Sequence, residues 1–111
     1  MKIRLAAKRS KYGNRKVEYQ GWKFDSQLEC DYYRHLQWLL AADKIQLVLR
    51  QVPFHLAPGS KLIVDFLVVD IYGGVNFVDT KGMMTKEART KIKLAEHLYK
   101  VKIEIIKRGD F

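Results

Sequence analysis

Apolar and polar positions alternate with a period of two through Val17-Glu18-Tyr19-Gln20-Gly21-Trp22-Lys23-Phe24, and with a glycine between the halves this predicts a small hairpin. The period then lengthens. Leu28, Tyr32, Leu36, Leu39 and Leu40 fall on one stripe at helical spacing, which predicts a helix running to about Ala42, with Ser26 or Asp25 as N-cap and Glu29 at the edge of the stripe. Residues 45–56 read as a strand in which Pro53 marks an edge or a bulge, closed by a turn at Ala57-Pro58-Gly59-Ser60. Two further strands, 61–70 and 75–81, flank a Gly73-Gly74 turn. Ala88, Ile92, Ala95 and Tyr99 then recur at helical spacing over 85–99, with Lys86, Arg89 and Lys93 on a separate basic face. Residues 101–106 form the last strand. The order helix, three strands, helix, strand calls for an α/β sandwich with a mixed central sheet, in which the final strand returns parallel through the second helix.

Two of these strands carry charge where the pattern demands core. Leu62-Ile63-Val64-Asp65-Phe66-Leu67-Val68-Val69 contains Asp65, and Val75-Asn76-Phe77-Val78-Asp79-Thr80-Lys81-Gly82 contains Asp79 and Lys81. Burying an ionised group costs several kcal/mol unless it is paired or binds a metal. By alternation Asp79 and Lys81 share a face with Val75 and Phe77, and pairing across the turn sets Asp65 beside Asp79. Like charges so opposed are destabilising unless a cation lies between them. Carboxylate and carbonyl oxygens with open positions for water and phosphate suit Mg²⁺ or Mn²⁺, and a lysine beside them can orient a water or offset developing charge. Each residue also has an ordinary reading: Asp65 and Asp79 at strand ends in solvent, Lys81-Gly82 as a strand exit, and Glu29 as the N3 member of a Ser26 capping box.

Composition narrows the partner. A chain of 111 residues is one domain, too short for a catalytic domain plus a separate recognition domain. Its formal net charge of +9 points to a polyanion, and nucleic acid fits better than a membrane because no amphipathic anchor accompanies the charge. Residues 1–18 carry Lys2, Arg4, Lys8, Arg9, Lys11, Arg15 and Lys16 and read as a basic N-terminal arm, leaving 19–111 as the folded domain. The apolar runs are strand-length, far short of the ~20 residues of a membrane span, and no apolar region follows the basic start as in a secretory signal. The expected compartment is therefore cytoplasmic. A lone Cys30 excludes an internal disulfide and any Cys-rich zinc module, and His35, His55 and His97 lack zinc-finger spacing.

Val64-Asp65, then Asp79-Thr80-Lys81, preceded by a helix-borne Glu29, resembles the PD-(D/E)XK nuclease superfamily, with Val64 in place of the proline of the motif's name. The helix, three-strand, helix, strand order is similar to its restriction-endonuclease-like three-layer core over residues 24–106. More narrowly, Ser10-Lys11-Tyr12-Gly13-Asn14 and Gly21-Trp22-Lys23-Phe24-Asp25-Ser26-Gln27-Leu28-Glu29 resemble small phage-encoded endonucleases of a former domain-of-unknown-function family and phage Holliday-junction resolvases. The resemblance implies Asp65 and Asp79 as ligands of Mg²⁺, with Mn²⁺ able to substitute, the Thr80 carbonyl as a further ligand, Lys81 as the catalytic lysine and Glu29 as an additional carboxylate. It implies DNA phosphodiester hydrolysis by a metal-activated water, leaving a 5′-phosphate and a 3′-hydroxyl. If the protein is phage-encoded, the compartment is the host cytoplasm. Lys8, Arg9, Lys11, Arg15, Lys16, Lys86, Arg89 and Lys93 are the expected phosphate contacts, which position DNA without reading its sequence. Resolving a four-way junction takes two symmetry-related cuts, so this reading expects a homodimer, joined through Trp38 and its neighbours or through an exchanged N-terminal arm. A non-catalytic nucleic-acid-binding module and a nuclease acting on linear DNA in restriction or recombination remain open beside it.

Overall fold

The computed structural model of the chain describes residues 15–111. The expected hairpin is present as β1 (Val17–Tyr19) and β2 (Trp22–Phe24), paired antiparallel. Part of the stretch read as an arm therefore belongs to the folded body, and residues 1–14 lie outside the described residues. The first helix, α1, spans Gln27–Ala41. Its N-cap is Ser26, whose hydroxyl accepts from Glu29 N, satisfying one of the donors that a helix start leaves without an intrahelical partner. At the other end Asp43 N donates to Leu40 O and Lys44 N to Leu39 O, with Asp43 at φ +58. That is a Schellman closure with Asp in the position glycine usually fills.

The body is a four-stranded sheet in the order β3-β4-β5-β6, made of β3 (Ile45–Ala57), β4 (Ser60–Asp70), β5 (Val75–Thr80) and β6 (Ile103–Ile106). The first three are antiparallel neighbours, and β6 joins β5 in parallel after the second helix, α2 (Lys86–Tyr99). Pro53 sits on β3, an outer strand, where its missing N–H costs the sheet no interior bond. Thr85 caps α2 by accepting from Ala88 N, and Glu96 accepts from Ile103 N at 2.8 Å, tying the end of that helix to the start of β6.

The core falls into two clusters. Leu36 of α1 packs with Phe66, Val68, Val78 and Ile106; Ile92 and Ala95 of α2 pack with Phe54, Leu62, Val64 and Ile103, and Phe77 joins them. Neighbouring Phe77 and Val78 belong to different clusters, and since successive side chains of a strand point to opposite faces, the two helices cover opposite faces of β5. Completely buried Phe66 and Val64 each contribute about 1.5–3 kcal/mol of transfer free energy. Along β4 the buried residues are Leu62, Val64, Phe66 and Val68, yet Leu62 and Val64 meet α2 whereas Phe66 and Val68 meet α1. The buried face of the β3–β4 ribbon thus passes from one helix to the other at Asp65. That half-turn builds the site.

Candidate functional site

The ladder between β4 and β5 runs from Val69↔Val75 to Phe66↔Val78. The next pair in that register is Asp65 and Asp79, and here side chains replace the backbone ladder. Asp65 N donates to Asp79 Oδ1 at 3.0 Å, while Thr80 N and Thr80 Oγ1 donate to Asp65 Oδ2 at 2.9 and 2.7 Å. The two strands fork, and each carboxylate is held by the other strand. Asp79 is 2% exposed, and among the described residues its buried Oδ2 meets no donor in hydrogen-bond geometry. Lys81 Nζ lies 3.0 Å from that oxygen. Lys81 follows β5 directly, its own N–H donating to Ile106 O at 3.0 Å, so the side chain leaves a fixed backbone.

Glu29 is also 2% exposed, deeper than the edge of an apolar stripe. Its Oε1 accepts from Asp25 N at 3.0 Å and its Oε2 from Gln51 Nε2 at 3.1 Å, with Arg50 Nη2 3.6 Å away. The Arg50 guanidinium lies 4.1 Å from the Phe24 ring centroid and 5.7 Å from those of Trp22 and Tyr33, and donates to Lys23 O. The capping-box reading of Glu29 is therefore met in part: its N–H bonds Ser26, while its carboxylate turns to Asp25 and across to β3.

Glu29, Asp65, Asp79, Thr80 and Lys81 all line one cleft of about 260 Å³, together with Met83 and with Thr85 and Ala88 at the start of α2. Burial, followed by the charges of Asp79 and Glu29, pushes the Asp65 carboxyl up to about 8 against the pull of the two Thr80 donors. Burial likewise raises Glu29, opposed by its bond from Asp25 and by Arg50. The carboxylate pair is thus strained by its own charge, which Lys81 offsets only on the Asp79 side. Two carboxylates in this setting fit a hard divalent ion that keeps waters among its ligands. Among the described residues no three His, Cys, Asp or Glu side chains come together at metal-binding spacing. Glu29 lines the cleft, but its oxygens are engaged elsewhere.

Of the expected phosphate contacts, Lys8, Arg9 and Lys11 lie outside the described residues, as does Tyr12. Arg15 is exposed, and Lys16 pairs with Asp25 at 2.8 Å. Lys86, Arg89 and Lys93 are exposed on α2, the helix whose Thr85 and Ala88 border the cleft. Trp38 is 64% exposed beside His35, and among the described residues no helix is long and apolar enough to cross a membrane. Sequence reasoning missed Arg50 and Gln51. Both fall within the strand read over residues 45–56, and nothing in their spacing ties them to a glutamate 22 residues upstream of Gln51.

Fold and site together define an α/β protein with a carboxylate pair and a lysine at the fork of two central strands. The chain belongs to the family described as a protein of unknown function, DUF1064, whose model matches residues 9–110. Comparison with curated proteins and with solved structures gives no match.

Proposed function

We propose that this protein is a divalent-metal-dependent DNA endonuclease of the PD-(D/E)XK type, with a restriction-endonuclease-like core, selective for branched DNA and working as a homodimer. One observation carries the reading: Asp65 and buried Asp79 stand side by side at the strand fork with Lys81 Nζ 3.0 Å from Asp79 Oδ2, all lining one cleft. One lysine offsets only part of the charge that two such carboxylates can carry, and a divalent ion would offset the rest.

Asp65 and Asp79 would hold the ion, with the Thr80 carbonyl beside them. Bound there, Mg²⁺ or Mn²⁺ would activate a water and stabilise charge on a phosphoryl oxygen. Thr80 fixes the Asp65 rotamer through two donors, and the Asp65 N–H fixes Asp79. Lys81 neutralises part of the pair's charge and places an ammonium where the attacking water and the scissile phosphate would meet. The exposed cations of α2 continue from the cleft and suit a phosphate backbone. One chain carries one such site, so paired cuts in a four-way junction require a second copy.

The test is cleavage of four-way junction, flap, single-stranded and linear duplex DNA, with Mg²⁺ or Mn²⁺ and with EDTA. Metal-dependent cuts, fastest on junctions, are expected. Equal rates on junction and linear DNA would leave a general nuclease, and binding without cleavage on every substrate would leave a non-catalytic module.

A further inference from the structure

Consecutive strand residues point to opposite faces of a sheet, yet Arg50 and Gln51 reach the same atom. Arg50 Nη2 lies 3.6 Å from Glu29 Oε2 and Gln51 Nε2 lies 3.1 Å from it. The backbone explains this. Gln51 has φ +57, the left-handed region, in the interior of a 13-residue strand. A side chain with a Cβ is strained there, and Gly, Asn and Asp are the residues that accept it most readily. Pairing keeps one register on both sides, Arg50↔Phe66 before and Val52↔Val64 after, and the strand continues to Ala57. No chain reversal demands the strained conformation.

What the conformation supplies is direction. It turns the Gln51 carboxamide onto Glu29 at the level of Asp65, which lies opposite Gln51 in the same register. Glu29 Oε1 is already fixed by Asp25 N at the mouth of α1, whereas Arg50, at 3.6 Å, is outside hydrogen-bond range of Oε2. Gln51 thus supplies the hydrogen bond that ties Oε2 to β3. A neutral donor fixes the carboxylate without placing a second full cation beside Arg50.

We propose that Gln51 is a positioning residue, whose left-handed backbone holds Glu29 in the orientation that phosphodiester hydrolysis needs. The inference rests on the nuclease reading. The strained backbone lies where the ribbon turns over, and there it also aims the Gln51 carboxamide at Glu29.

Gln51→Gly removes the amide and the strain together, and so separates the two roles. The urea midpoint is expected to equal or exceed that of the wild type. On the DNA that the wild type cleaves fastest, in Mn²⁺, kcat is expected to fall at least tenfold with KM within twofold. Gln51→Asn, which accepts the same backbone but is one methylene short, should behave alike in both measurements. Wild-type kcat in Gln51→Gly overturns the inference, as does a kcat loss that comes with a lowered midpoint in both variants. A wild-type protein that cleaves no DNA with Mg²⁺ or Mn²⁺ rejects the nuclease reading and this inference together. An active wild type beside an equally active Gln51→Gly rejects the inference alone.

Discussion

Asp65→Asn should stabilise the metal-free protein at neutral pH. In the folded chain burial, then the charges of Asp79 and Glu29, move the Asp65 carboxyl from 3.8 to about 8. Between those values the folded protein retains a proton that the unfolded chain has released, so the associated stability is fully present below 3.8 and lost as pH rises to about 8. At about 1.36 kcal/mol per pH unit the interval bounds the cost at ~6 kcal/mol. The Asp65 carboxylate is only partly buried and the cleft admits water, so a cost of ~2 kcal/mol at pH 8 is the expected fraction. For a domain of this size that corresponds to a rise of roughly 8 °C in Tm for the asparagine variant. Urea unfolding in EDTA at half-unit steps from pH 5 to 9 measures it. Glu29 titrates in the same direction, so the quantity to read is the difference between wild type and variant, which should grow with pH. Mg²⁺ at one hundred times its Kd should return about 2.7 kcal/mol to the wild type and little to the variant. A difference that stays flat from pH 5 to 9, or a variant less stable throughout, would refute the argument.

Asp79→Asn and Lys81→Ala should each reduce metal-dependent cleavage to background while near-UV circular dichroism stays native; turnover in either variant would remove the residue from the chemistry. Arg50→Ala leaves the Glu29 carboxylate buried without its cation and should cost about 3 kcal/mol in urea unfolding, whereas a loss under ~1 kcal/mol would mean that Gln51 and Asp25 suffice. Removing residues 1–14 takes away five cations, so the slope of log K against log salt on duplex DNA should become shallower by ~0.9 for each phosphate that these cations neutralise in the full chain; an unchanged slope would show that this segment does not touch DNA.

Most of the element order was legible because the signals were local. Ser26 three residues before Glu29 announces a capped helix start, Pro58-Gly59 announces a reversal, and the switch from period two to period 3.6 at Thr85 announces α2. The pairing of Asp65 with Asp79 was legible too, because a short turn between antiparallel strands leaves few registers open. The convergence of Glu29 on the same cleft came from the family resemblance and not from spacing, since it depends on how α1 packs across the sheet. The depth of Glu29 was underread for a related reason. Periodicity ranks positions around a helix, but whether an edge position is buried is decided by what covers it, here the Arg50 guanidinium and the rings that hold it.

The fork itself lies beyond pattern reading. Alternation in β4 is unbroken from Leu62 to Val68, and a reader of the sequence assigns those even-numbered residues to one face of one layer. In the structure the same alternation serves two layers, because the ribbon turns over between Val64 and Phe66. The turn falls where the β4–β5 ladder ends and Gln51 takes its positive φ. Strands that stayed flat would pair Asp65 and Asp79 through their backbones and leave the carboxylates to repel each other across the sheet. By parting, they let each strand's donors hold the other's carboxylate, so the ladder bonds are exchanged for side-chain bonds of similar number. What the exchange leaves over is an Asp79 oxygen whose neighbour is a lysine, and two carboxylates held side by side against one ammonium.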